Sequence, residues 1–275
     1  MSRAAWEAAL HWAAVACYIA SFVLYANAVL FGQSKRLRWG TWVAALGLLP
    51  HAVALLIRWI ASGHGPYMAK YEVLSSNAWI AILFTVLFVA RKPAWASLSL
   101  VSVPASILAI AIGFFANPEI RELPPTLRSV WLVYHIAFAK LAAAAFLLSL
   151  ACGVLVLLKR RPAPPPWTSR VPEIDALDAY TVRFVGFGFI FWTVTIVAGA
   201  IWANQSWGSY WSWDAIQTWS LVSWVVYGVF LHTRLFFKLG PRATALWSVA
   251  CFFLFIAALL VIPFILPSLH SSYFQ

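Results

Sequence analysis

Eight apolar runs, at about 6–31, 42–62, 74–90, 97–116, 130–158, 184–204, 219–237 and 244–263, follow one another with only short polar links between them. A membrane-spanning helix needs roughly 20 predominantly apolar residues, so these runs use most of the 275-residue chain. They predict an all-α, polytopic membrane helix bundle of about eight transmembrane helices, a single membrane domain over 1–275. Composition supports this reading: 63% of residues are hydrophobic and 10% charged, against about 45–50% apolar and about 25% charged in soluble domains. A cytosolic enzyme, a disordered chain and a secreted disulfide scaffold are excluded, and no soluble catalytic domain fits in the remainder.

The links alternate in charge. Lys35, Arg36 and Arg38, then Arg91 and Lys92, then Lys159, Arg160, Arg161, Arg170 and Arg183, then Arg234, Lys238 and Arg242 fall on one set of links. The other set, with the termini, holds only Arg3, Lys70, Arg121 and Arg128. Basic residues accumulate on the cytoplasmic side, which puts the N- and C-termini outside together with 63–73, 117–129 and 205–218. The net charge of +11 is thus a topology signal, and no nucleic-acid partner is inferred. The Pro-rich link 159–183 is cytoplasmic, and its prolines favour a stiff extended spacer. Cys17, Cys152 and Cys251 lie within apolar runs and form no CxxC, so they read as packing residues. The run from Trp6 to Phe31 reads as an uncleaved span.

Four histidines fall at informative depths. His51 lies roughly 14 Å and His232 roughly 8 Å from the cytoplasmic ends of their spans at the helical rise. His135 lies near the outer end of the fifth span, and His270 in the outer tail. Ionisable residues inside membrane helices are expensive and point to function, and imidazole is an axial ligand of haem iron. Any one histidine alone also fits an interhelical hydrogen bond, and His11 is read that way. Two pairs at matched depth favour ligation: an inner pair, His51 and His232, and an outer pair, His135 and His270. Between them runs WANQSWGSYWSWDAIQTW, the outer tryptophan-rich loop 202–219, with Trp202, Trp207, Trp211, Trp213 and Trp219, followed by Trp224. An interfacial belt accounts for some of these rings. Their density around Gly208 and Asp214 also suits a flat macrocycle held by stacking and edge contact. Arg58 is two turns from His51 on the same face and either meets propionates or snorkels to the interface. Lys140 is on a different face from His135.

WANQSWGSYWSWD with LHTR at 231–234 resembles the tryptophan-rich "WWD" signature of haem-handling proteins, and the chain resembles the CcsA (ResC-type) family, the membrane subunit of system II cytochrome c synthases. HAVALLIRWIASGHGPYMAKYEVL at 51–74, LPPTLRSVWLVYHIAF at 123–138, LDAYTVRFVGFGF at 177–189 and LHSSYF at 269–274 resemble further family segments in family order.

The resemblance implies haem b as bound substrate and ligand. It implies His51, His232, His135 and His270 as axial ligands, and cofactor contacts from Trp202, Trp219, Trp224 and Arg58. Trp207, Trp211, Trp213 and Asp214 are implied to form the catalytic platform of a cytochrome c haem lyase. On that reading haem moves outward and is joined to the CxxCH thiols of apocytochrome c. The implied partners are a CcsB-type membrane subunit, a thiol-reducing thioredoxin-like protein and membrane lipid; the implied location is the bacterial inner (plasma) membrane. One stretch departs from the pattern: Ala215, Ile216 and Gln217 stand where the family has Pro-Lys-Glu. Two alternatives stay open, a haem export and delivery protein without lyase activity and a two-haem b-type electron-transfer subunit. The predicted topology has a direct measurement: reporters fused after residue 165 should behave as cytoplasmic and those at the C-terminus as periplasmic.

Overall fold

The computed structural model describes residues 2–116, 119–120 and 123–266. Apolar side chains leave nothing for water to solvate, and a backbone in lipid must close its own hydrogen bonds. The runs accordingly fold as helices: α1 (Arg3–Leu30), α2 (Lys35–Ser62), α3 (Lys70–Arg91), α4 (Ser99–Phe114), α5 (Val130–Lys159), α6 (Ile174–Trp207), α7 (Ala215–Phe236), α8 (Pro241–Leu260) and the short α9 (Ile262–Ile265). A 3-10 segment, Pro93–Leu98, leads into α4, and together they are long enough to span. There is no strand among the described residues.

Punctuation is local. Ser2 caps α1 by accepting from the Ala5 amide at 3.2 Å, α2 stops at Gly63 with φ 72, and Pro241 opens α8, where a missing N–H costs nothing. Two boundaries differ from the sequence expectation. α6 begins at Ile174, so the Pro-rich link is shorter than 159–183; the segment from Asp175 to Arg183 is helical although polar. α6 also runs through Trp207, so Trp202 and Trp207 lie on a helix and the loop proper is 208–214. The stop is Gly208, at φ 76, whose amide donates to the Asn204 carbonyl at 2.9 Å. That is the glycine-terminated helix end.

Seven helices are long and apolar enough to cross a membrane: α1, α2, α3, α4 with its 3-10 lead, α5, α6 and α8. α7 has 22 residues, roughly 33 Å by helix rise, but its Trp, Ser, Thr, Gln, His and Arg residues leave it outside that set.

The chain divides into two compact units, 1–122 with 155–177 and 123–154 with 178–275. In the first, α1 packs on α2, α2 on α3, α3 on α4 and α4 back on α1. The Pro-rich link closes onto it: the Arg170 guanidinium donates to the Val29 and Leu30 carbonyls at 3.2 and 2.7 Å, satisfying the end of α1. In the second unit the core is aromatic. Phe146 stacks on Tyr227 with centroids 3.8 Å apart, and Phe255 meets Phe146 and Trp192 edge-on at 5.1 and 5.0 Å. α6 approaches this stack through Gly188, where a Cβ would stand 2.4 Å from the Phe146 ring. Gly188→Leu should therefore overpack the core by about 1–3 kcal/mol or more, read as a lower unfolding temperature in detergent beside an unaffected Gly186→Leu control.

Candidate functional site

The first unit holds a chain of buried polar side chains. The Tyr18 hydroxyl lies 3.0 Å from His51 Nδ1, His51 Nε2 lies 2.9 Å from Ser75 Oγ, and Ser75 Oγ lies 2.9 Å from His11 Nε2. His11 Nδ1 meets the Glu7 carbonyl at 3.0 Å and the Tyr71 hydroxyl at 3.1 Å, and that hydroxyl donates to Glu7 Oε1 at 2.9 Å. Carbonyl chemistry gives the chain a direction. A carbonyl only accepts, so His11 Nδ1 carries the proton and, in a neutral ring, Nε2 accepts from Ser75. Ser75 has one proton, spent on His11, so its oxygen accepts from His51 Nε2–H. His51 Nδ1 is left to accept from Tyr18. Every donor points from Tyr18 towards Glu7, an alignment in which neighbouring bonds polarise one another.

His51 is fully buried, and both of its nitrogens are engaged. It sits beside His11, with ring centroids 5.2 Å apart. Iron ligation by His51 requires release of Ser75 or Tyr18. Arg58 is also buried, at 3% exposure. Its Nε donates to Glu72 Oε1 at 2.8 Å and an Nη to the Glu119 carbonyl at 3.0 Å, while the guanidinium lies over Tyr71. Glu72 Oε2 in turn accepts from the Met68 and Ala69 amides at 3.0 and 3.3 Å. Arg58 thus ties the link before α3 to α2 rather than snorkelling. In that link, burial and then the Glu72 carboxylate raise the Tyr67 phenol above its ordinary pKa.

The second unit holds the tryptophans. His135, on α5, donates from Nδ1 to the Thr195 carbonyl on α6 at 2.8 Å and lies against Trp202 at 6.3 Å and 30°. Trp202 is buried, donates from Nε1 to the Thr126 carbonyl at 2.9 Å and meets Trp207 edge-on at 4.9 Å. Trp211 and Trp213 form a second edge-on pair at 5.8 Å. Trp213 is exposed, with φ 58, a left-handed conformation a bulky residue rarely adopts. Trp211 Nε1 is buried and has no hydrogen-bond partner among the described residues.

Asp214 caps α7 by accepting from the Ile216 amide at 3.1 Å. Gln217 closes the loop: its Oε1 accepts from Ser212 N and Oγ at 2.9 and 3.1 Å. An amide oxygen here accepts as a carboxylate oxygen would, so this departure from the family pattern keeps the turn. Trp224 donates to Thr193 Oγ1 at 2.8 Å and stacks on Phe189 at 5.2 Å. Trp219 is half-buried on α7. His232 is exposed near the far end of α7, stacked on Phe236 at 4.5 Å. His270 lies outside the described residues.

The structure therefore brings together His135, Trp202 and Trp207, and it places His51 with His11. Glu7, Tyr71, Glu72 and Ser75 were missed by reading the sequence. The two acids in apolar surroundings were the available signal, since a buried carboxylate needs a partner.

The sequence profile of the cytochrome c assembly protein family matches residues 67–270. Cytochrome c biogenesis protein CcsA of Chlamydomonas reinhardtii is 36% identical over 189 residues, 66% of this chain and 53% of that protein. CcsA of Prochlorococcus marinus strain MIT 9515 is 30% identical over 247 residues, covering 80% of this chain and 79% of the relative. CcsA of strain MIT 9303 is 31% identical over 264 residues, covering 84% and 83%. The chain thus spans about half the length of the algal relative and most of the cyanobacterial ones. A solved structure, cytochrome c heme lyase CcmF, matches with a TM-score of 0.73 over all of this chain and 49% of its own, at 19% identity, a likeness of fold.

The Arg58–Glu72 pair makes a sharp expectation. Glu72→Gln removes the carboxylate charge that balances the buried Arg58 guanidinium and should cost about 3–5 kcal/mol, measured as lost thermal stability in detergent. The double variant Arg58→Met, Glu72→Leu should recover much of that loss.

Proposed function

The chain belongs to the cytochrome c assembly protein family, and we propose that it holds haem on the second unit and presents it for covalent attachment to an apocytochrome c. It is a multi-pass membrane protein with seven helices apolar enough to span. The observation that carries the proposal is His135 packed against Trp202, which in turn meets Trp207, a nitrogen ligand beside an aromatic wall. The chemistry of this group of side chains fits haem. Imidazole binds iron, indole rings stack on a porphyrin, and Trp211 Nε1 is a buried donor in want of an acceptor, which a propionate would supply.

In this reading His135 and His270 are the outer axial ligands, and Trp207, Trp211, Trp213, Trp219 and Asp214 shape the platform. Haem b supplies the vinyl carbons across which two CxxCH thiols add, sulfur to one carbon and hydrogen to the other. The protein's own part is to hold the macrocycle in place and keep its iron ligated while the thiols approach. Asp214 and Gln217 fix the loop; Trp202 and Trp224 are anchored by hydrogen bonds of their own. Haem would reach the outer site from the cytoplasmic side, with His51 and His232 as the candidate inner ligands; His51 would serve only by releasing Ser75 or Tyr18. In the same reading the chain crosses the bacterial inner membrane eight times with both termini outside, so that the tryptophan loop faces outward. A CcsB-type subunit and a thioredoxin-like thiol reductant complete the reaction.

His135→Gly should abolish the low-spin spectrum of the outer haem, with partial return on adding imidazole. Co-expressed with the partner subunit and a CxxCH apocytochrome, the variant should make little covalent holocytochrome. An unchanged haem spectrum would sink the outer-site reading. Bound haem with no covalent product, even from the unaltered protein, would favour haem delivery without lyase activity.

A further inference from the structure

We infer that a stripe on α6, the Thr195 carbonyl with Gly199 and Trp202, is the device that positions His135, fixing its tautomer so that Nε2 is the nitrogen offered to iron. This rests on the outer-haem reading above and adds to it the residues that orient the ligand. Positions 195, 199 and 202 stand at i, i+4 and i+7, which places them along one helical face. Each contributes a different physical element to the imidazole.

Thr195 supplies the polarity. Its carbonyl lies 2.8 Å from His135 Nδ1, and a carbonyl has no proton to give, so Nδ1 is the protonated nitrogen. A neutral imidazole then carries its lone pair on Nε2. His51 contrasts with this: its lone-pair nitrogen, Nδ1, already accepts from the Tyr18 hydroxyl, and its Nε2–H is spent on Ser75. A metal-ligating histidine ordinarily donates its other N–H to a carbonyl or carboxylate, which sets the ring orientation and raises ligand basicity.

Gly199 supplies the space. In a helix the carbonyl of residue i is flanked by the side chain at i+4, so a second hydrogen bond to it needs that flank bare. A Cβ on Gly199 would stand 2.5 Å from His135 Nδ1 and 2.8 Å from Cε1, closer than such atoms approach. Any side chain there must drive the ring off the Thr195 carbonyl. Glycine inside a helix is destabilising relative to alanine, a cost that the close approach explains.

Trp202 supplies the plane. Its indole is tilted 30° from the imidazole at 6.3 Å and is itself held by Thr126 at 2.9 Å. The stretch that holds Trp202 lies only a few residues before the helix that carries His135, so ring and wall are referenced to the same segment of chain.

The test uses the full-length protein. Nitrogen NMR of the histidine-labelled, haem-free form, with His135→Gln to identify the signal, should show His135 protonated at Nδ1. A proton on Nε2 instead overturns the inference without any variant needing to fold. Gly199→Ala should abolish the Nδ1–H signature and weaken haem binding about 10–100-fold, as other losses of ligand orientation do. A wild-type signature and wild-type haem affinity in Gly199→Ala overturn the role of the stripe alone. Normal haem in His135→Gly overturns the outer-site reading beneath it. These two failures are separate measurements.

Discussion

Inside a bilayer no water is at hand to satisfy a buried polar side chain, and the whole structure is arranged around that constraint. Each unit answers it differently. The first collects its polar groups into one directed chain from Tyr18 through His51, Ser75 and His11 to Tyr71 and Glu7. No member is stranded, and α1, α2 and α3 are held at a common register by the same bonds. The second unit pairs buried hydroxyls locally, as Ser149 with Ser248 at 2.8 Å, and fills its centre with Phe146, Tyr227, Trp192 and Phe255.

The same constraint sorts the histidines by role. A histidine with two hydrogen bonds to neighbouring helices is a structural joint, and opening it costs at least one of them. His51 is in that position. A histidine with one nitrogen on a carbonyl is instead oriented, because the bond fixes which nitrogen keeps its lone pair. His135 donates to such a carbonyl, and the Trp202 indole lies beside it. Chemistry at a macrocycle needs the second kind. The aromatic platform follows similar logic: Trp202 and Trp224 are fastened by their own N–H groups, whereas the Trp211 N–H is left for an acceptor.

Much of this was legible beforehand, and the failures have identifiable causes. The eight long helices follow from eight apolar runs, since run length is matched to bilayer thickness. The start of α6 was hidden because the polar stretch Asp175 to Arg183 is helical without being apolar. The end of α6 was misplaced because the tryptophan cluster reads as a loop; Gly208, as the residue just past a helix end, was the signal that places it at Trp207. Gln217 looked like a lost charge and proves to be a retained acceptor. Arg58 looked like a partner for a ligand and has Glu72, fourteen residues on, as its own.

By itself, the sequence determined the helices, the membrane as solvent, the family and where along its helix each helical histidine stands, because distance along a helix is residue number multiplied by a fixed rise of about 1.5 Å. It did not determine which histidine meets which group. That depends on the rotation of each helix about its axis, about 100° for every residue, relative to neighbours distant in the chain. Matched height paired His51 with His232, but rotation of α1 and α3 set His11 and Ser75 against His51. Rotation of α6 likewise turned Thr195, Gly199 and Trp202 towards His135. Only packing settles those rotations, since each is fixed by the side chains that interlock between helices.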